Sequence, residues 1–279
     1  VTRHLRSILA VIILAASSHA QNPKTYIGFD RNIYPGDATL PTLRRHFDFT
    51  SFWLTNPPGA THNTWTGKRS TLAAQGFGFL VLANGRTESQ IKSASKSTAQ
   101  TPAAQGQKDA QAAAASAQRE GFPPHTLIFL DQEEGGRLTA EQSAYLFAWT
   151  ETLASTGFRP GVYGSGQPVP DGPGATITTA QDIQQQVAAR HLHPIALWVY
   201  QDTCPPANGC VLTPPPLASS GTPTAEVWQY AQSPRRRANT AACAKTYAPD
   251  GNCYASDPAL SNLILDLNVA ATPDPSRPQ

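Results

Sequence analysis

The chain has 279 residues, with 21 Lys and Arg against 19 Asp and Glu and a formal net charge of +2. That near balance excludes the broad basic footprint of a nucleic-acid-binding protein, and Arg235-Arg236-Arg237 reads as a solvated loop. Charged residues reach only 14%, well below the usual quarter, and Ala, Thr, Ser, Gln and Pro take their place, as suits an exported chain.

Taken in chain order, residues 1–20 read as a secretory signal peptide. Arg3, His4 and Arg6 precede an apolar run over 8–16, and Ser18-His19-Ala20 supplies a small-x-small cleavage pattern before Gln21. The run is too short to cross a bilayer, and no cysteine follows the junction to carry a lipid, so no stable membrane anchor is expected. Strand-like runs then recur at 26–30, 49–54, 77–83, 126–131, 159–164, 195–200, 226–231 and 263–269. Helical patterns fall between most of them: 40–47, 68–75, a long Ala- and Gln-rich stretch over 87–120 that Pro102 and Gly106 should divide, 139–156 and 179–191. The helix from 139 has N-cap chemistry in Thr139-Ala140-Glu141-Gln142, an apolar face of Tyr145, Leu146, Trp149 and Leu153, and Gly157 to close it.

Strands alternating with helices indicate a parallel α/β protein, and length and strand count fit a single (β/α)8 TIM-like barrel over residues 21–271. A doubly wound open sheet is the runner-up, but no Gly-rich phosphate fingerprint follows the first strand. The crossovers after strands six and seven, 202–225 and 232–262, are irregular and hold Cys204, Cys210, Cys243 and Cys253. In an exported chain these four are expected as disulfides. Of the three pairings possible, Cys204–Cys210 with Cys243–Cys253 needs the least chain closure and is the one expected. The tail over 272–279 is expected to be disordered.

The chemistry-bearing segment is Leu127-Ile128-Phe129-Leu130-Asp131-Gln132-Glu133-Glu134, an apolar strand that ends in acids. Residues two apart on a strand share a face, which puts the Asp131 and Glu133 Cβ atoms about 6–7 Å apart. This spacing suits a pair of carboxyls acting on one glycosidic bond, and it lies between the retaining and inverting ranges. The plain alternative is surface acids that cap the next helix or pair with Arg137. Other polar residues collect at strand ends, where a barrel places its active site: Asp30 on the first strand, Tyr163 on the fifth, Trp198 on the sixth, Trp228, Gln229 and Tyr230 on the seventh, Asp266 and Asn268 on the eighth. Strands one and eight are neighbours in a closed barrel, so Asp30 and Asp266 should approach each other across the mouth from strand four. Asp30 and Asp266 also read as a structural pair, and each aromatic residue as core or wall. A nucleophile elbow with Ser-His-Asp order is absent, which argues against an esterase.

Gly28-Phe29-Asp30, the Asp131-x-Glu133 strand, Gly161-Val162-Tyr163, Leu197-Trp198, Trp228-Gln229-Tyr230 and Asp266-Leu267-Asn268 occur in an order that resembles family 25 glycoside hydrolases, cell-wall muramidases on a TIM-like barrel. The resemblance is closer still to the bacterial "glycoside hydrolase-like" domains of unknown function, and it spans roughly residues 25–270. It implies Glu133 as general acid, Asp131 as the partner that stabilises positive charge at the reacting centre, and Asp30 and Asp266 as flanking acids that bind substrate. It implies a peptidoglycan or other amino-sugar glycan as ligand; no cofactor or metal is required, the signal peptide makes the chain secreted or periplasmic, and a monomer is expected. A non-catalytic glycan-binding or envelope-remodelling protein is the rival. Two departures stand out: Arg31-Asn32-Ile33-Tyr34 replaces the usual serine-containing turn after the first strand, and strand six ends Trp198-Val199-Tyr200-Gln201-Asp202.

Overall fold

A computed structural model describes residues 24–277; the expected signal peptide lies outside the described residues. The core is a closed barrel of eight strands. Seven run parallel: β1 (Tyr26–Asp30), β2 (Phe49–Trp53), β3 (Gly78–Asn84), β4 (Leu127–Asp131), β5 (Arg159–Ser165), β8 (Ala196–Tyr200) and β9 (Ala225–Ala231). A short hairpin, β6 (Val169–Pro170) with β7 (Thr176–Ile177), lies outside the barrel. The closing strand, β10 (Asp266–Ala270), is antiparallel to both neighbours, β1 and β9.

The barrel is therefore TIM-like as expected, but its last strand runs opposite to the expected direction. A parallel connection must carry the chain back to the far end of the sheet, usually through a helix. Residues 232–265 contain only short 3-10 turns, so the chain enters β10 from the mouth, where β9 left it. The chain then leaves β10 at the opposite end, and this orders the tail that was expected to be loose. Asp274 Oδ1 accepts from the Phe79 amide at 2.8 Å, Ser276 Oγ from the Val81 amide at 2.8 Å, and the Ser276 carbonyl from the Leu127 amide at 3.0 Å. Residues 278–279 lie outside the described residues.

The surrounding helices are α1 (Leu40–Arg44), α2 (Arg69–Ala74), α3 (Glu88–Thr98), α4 (Pro102–Glu120), α5 (Ala140–Ser155) and α6 (Thr179–Arg190). Thr87, Thr139 and Thr178 each start a helix through a reciprocal capping box with a glutamine three residues on. Pro102 divides α3 from α4 as expected, but Gly106 lies inside α4. A Cβ at Gly106 would sit 2.2 Å from the Tyr145 carbonyl oxygen, so this glycine lets α4 press against α5.

Inside the barrel, rings from one strand lie over glycines of the next. A Cβ at Gly28 would meet the Phe49 ring at 2.2 Å, and one at Gly161 would meet the Phe129 ring at 2.6 Å. This aromatic layer fills the barrel centre and raises the polar residues of the next layer to the mouth. Among the described residues, no helix is long and apolar enough to cross a membrane.

Candidate active site

Alternation along each strand decides which side chains reach the interior. On β4 it turns Phe129 and then Asp131 inward, and Glu133 follows just beyond the strand. On β1 it turns Asp30 inward, and Asp266, at the first position of β10, pairs in register with Asp30. Asp266 reaches the mouth because β10 begins there, whereas the sequence reading had a parallel strand ending there. Asp30, Asp131, Glu133, Asp266, Tyr163, Trp198 and Gln229 all line one cavity of about 230 Å³ at the C-terminal ends of the parallel strands. Asn268 lies beneath it, fully buried.

Two expected residues do not join them. Trp228 and Tyr230 flank Gln229 on β9 and so take the opposite face. There the Trp228 indole donates to the Gln201 carbonyl at 2.8 Å and the Tyr230 hydroxyl to the Val211 carbonyl at 2.9 Å. They support the loop after β8. Other wall residues carried no expectation: Asn32, Trp53, Leu82 and the run Gln232-Ser233-Pro234. Trp53 ends β2 and Gln232 directly follows β9, so their strand-end positions were available signals.

A chain of hydrogen bonds fixes the floor. Asp30 Oδ1 accepts from Gln229 Nε2 at 2.9 Å and from Asn268 Nδ2 at 2.6 Å. Trp198 Nε1 donates to Asn268 Oδ1 at 2.9 Å, and the Tyr163 hydroxyl donates to Gln229 Oε1 at 2.8 Å while accepting from Gln232 Nε2 at 2.8 Å. Each amide is thereby oriented, and Asp30 is held in one position. Asp266 accepts from the Ser233 amide.

Burial dominates the electrostatics. Asp30 is pushed up to about 6 by burial, against the donors Asn268 and Gln229, with the Glu133 charge adding to the rise. Asp266 is raised well above the usual carboxylate range by burial and then by Asp30, and Tyr163 by burial and then by Glu133. Asp131 is raised by burial, then by the charges of Glu133 and Asp30, while Glu133 is raised by burial and held back by its bond to Asp131 and by the Arg236 charge. As two ionised groups, the pair would leave Asp131 Oδ2 buried without a donor. Both shifts favour a state in which the pair carries a proton rather than two charges.

Glu134, the last acid of that segment, is engaged elsewhere: its carboxylate accepts from the Glu88 amide at 2.7 Å, at the start of α3, and from Gln142 Nε2 at 2.5 Å. Arg137 likewise pairs with Asp171 and Asp182, at 2.7 and 2.8 Å, and leaves the acids free.

The mouth is overhung by the loops after β8 and β9. Two disulfides join them, Cys204–Cys243 and Cys210–Cys253, which corrects the expected local pairing. The strands β8 and β9 are adjacent, so their loops lie side by side, and nearness in space overrides nearness along the chain. Beside the bonds, Arg236 pairs with the fully buried Asp202 and lies over the Tyr200 ring at 4.6 Å. Gln167 also donates to Asp202 and accepts from Asn239 at 2.7 Å.

A family model described as an Rv2525c-like, glycoside hydrolase-like domain matches residues 55–204, just over half of the chain. The matched segment carries Asp131, Glu133, Tyr163 and Trp198. Among solved structures, an uncharacterized B. stearothermophilus protein is 20% identical with a TM-score of 0.55, covering 88% of this chain and 95% of that one. The Tat-secreted protein Rv2525c of Mycobacterium tuberculosis, in complex with L-tartrate, is 12% identical with a TM-score of 0.50, covering 88% of this chain and 94% of that one. Both are similar in fold. No curated protein sequence matches the chain.

Proposed function

The chain belongs to the Rv2525c-like, glycoside hydrolase-like domain family, and we propose that it is an exported glycosidase-like protein that hydrolyses a β-linked amino-sugar glycan such as peptidoglycan. The observation that carries this reading is the pair of buried carboxyls, Asp131 and Glu133, both pushed toward the protonated form by burial, in a cavity at the mouth of the barrel. Glycoside hydrolysis needs one carboxyl protonated and a second ionised near the same bond. When Glu133 holds the proton it donates to the leaving glycosidic oxygen, and Asp131, then ionised, faces the positive charge that develops at the anomeric carbon. Water completes the hydrolysis and returns a proton to the pair. Asp30 and Asp266 bind sugar hydroxyls, and Trp198 and Tyr163 wall the ring. Two disulfides support export, because such bonds persist in oxidising compartments.

The test is release of reducing sugar from peptidoglycan and from chitin oligomers by the wild type and by Glu133→Gln. Loss of release in the variant supports the assignment, and release that survives removes Glu133 as the acid. The rival reading, a glycan-binding protein without turnover, is favoured by the small cavity, which falls below the ~300 Å³ lower bound of ordinary ligand sites, under tied loops. Glycan retention with no release by the wild type would select it.

A further inference from the structure

A second, larger recess of about 610 Å³ lies beside the acid cavity at the same end of the barrel. The end of β3 runs between them: Leu82 lines the acid cavity, while Ala83, Asn84 and Gly85 line the recess. The Gly85 amide donates to the Asp131 carbonyl at 3.1 Å, so this shared wall is bonded to the strand that carries the reacting pair. The acid cavity falls below the ~300 Å³ lower bound of ordinary ligand sites, whereas the recess lies within their range. A ligand too large for the acid cavity has room for its remaining part here.

The lining sets the chemistry of that part. Helix α3 buries only Ile91, and its residues Gln90, Ser93 and Ser97, spaced to share one helix face, line the recess. Asn56, from the loop after β2, joins them. The fold uses only some of this hydrogen-bonding capacity. Gln90 Oε1 accepts from the Thr87 amide at 2.8 Å, and Asn56 Nδ2 donates to the Thr61 carbonyl at 3.1 Å. Gln90 Nε2, Asn56 Oδ1 and the side chains of Asn84 and Ser93 make no hydrogen bond among the described residues. The charges of the lining are closed on each other: Arg86 donates through two nitrogens to Asp109, at 2.6 and 2.9 Å, and the Tyr145 hydroxyl donates to the same carboxylate at 2.9 Å. No aromatic ring lines the recess. It therefore lacks both the platform on which a sugar face packs and the free charge that recognises a carboxylate or phosphate. Carboxamides and hydroxyls remain, and a carboxamide donates and accepts at once, as a peptide unit does.

We propose that this recess binds peptide main chain, carried as a branch on the glycan whose saccharide enters the acid cavity, with Asn56, Asn84 and Gln90 pairing with its peptide units. The inference rests on the glycan reading above and narrows it to peptide-bearing glycans.

The test measures binding by titration calorimetry, using Glu133→Gln to prevent turnover. The ligands are a peptide-bearing amino-sugar oligomer, the same oligomer stripped of peptide by an amidase, the released peptide, and a longer peptide-free oligomer. The peptide-bearing form is expected to bind about tenfold or more tighter than the stripped form, as for two or more neutral hydrogen bonds. Adding Ser93→Trp, at an exposed position of α3 where the ring would fill the recess, should erase that preference, and Asn84→Ala should reduce it several-fold. Hydrogen exchange gives a readout that needs neither substitution: the peptide-bearing form should slow exchange over 88–98, and the stripped form should not. Equal binding of the two forms, or a preference that survives both substitutions with exchange over 88–98 unchanged, overturns the peptide site and leaves the glycan reading standing. A longer peptide-free oligomer that matches the peptide-bearing one gives the recess to saccharide and also overturns it. Binding of the released peptide, with none by either peptide-free oligomer, keeps the site and removes the glycan reading. Failure of all four to bind overturns both.

Discussion

At the scale of single residues, the site is governed by carboxyls that the fold keeps from ionising freely. Replacing the Glu133 carboxyl by an amide removes the transferable proton but keeps size and polarity, so Glu133→Gln should lose about 10²- to 10⁴-fold in rate with little change in thermal midpoint. Kinetics on soluble glycan fragments beside a melting curve checks both halves. Asp30 bears on stability. Its folded pKa of about 6 lies above the ordinary 3.8, so between these values the native state binds more protons than the unfolded chain and stability falls as pH rises. Below 3.8 the effect vanishes, and above 6 it is constant, on the order of 3 kcal/mol at most. Asp30→Asn cannot ionise and still presents an oxygen to Gln229 and Asn268. Its stability relative to wild type should therefore improve from pH 4 to pH 7, measured by denaturant unfolding at the two values. A pH-independent difference would return Asp30 to an ordinary carboxylate.

At the scale of elements, the parallel strands were legible because apolar runs buried on both faces stand out against helical periodicity. The direction of β10 was not. Its alternation of Leu265, Leu267 and Val269 with Asp266 and Asn268 reads the same either way, and only the helix-free segment before it sets the polarity. The acids were legible as strand ends, and Asp266 reached the mouth for a different geometric reason than its sequence suggested. Trp228 and Tyr230 were misplaced because β9 is buried on both faces, so hydrophobicity carries no phase; only the bond from Gln229 to Asp30 reveals it. The reversed β10 has a consequence for the tail. A Cβ at Gly78 would fall 2.0 Å from the Pro273 carbonyl oxygen, which shows how closely the tail crosses the end of β3. Ser276→Ala removes the acceptor of the buried Val81 amide and should cost about 1–3 kcal/mol. Ending the chain at Ala271 should cost more, because the Phe79 and Leu127 amides lose their acceptors too. Unfolding midpoints that match the wild type would show that the tail is dispensable.

At the scale of the whole molecule, the barrel and its cover are built by different means. The barrel rests on continuous strand pairing and an aromatic core, whereas the cover is long loop held by the two disulfides and the Asp202–Arg236 pair. The bonds close segments of 39 and 43 residues, and neither joins one barrel strand to another. Loops of this length lose roughly 4 kcal/mol of unfolded-state entropy per bond by the chain-closure argument, within a usual range of about 2–4 kcal/mol. Replacing Cys204 and Cys243 together by serine should therefore lower stability by about 2–4 kcal/mol. It should also free the segment that carries Asp202 from the one that carries Arg236, two residues and seven residues from the bond. Because the barrel does not depend on that link, the cover should open first. Limited proteolysis of the double variant is expected to cut within 203–224 or 232–262 while the rest stays protected, and denaturant unfolding gives the stability change. Cuts spread evenly over the chain would mean that cover and barrel unfold as one unit, and an unchanged midpoint would mean that the Asp202–Arg236 network holds the cover without the bond.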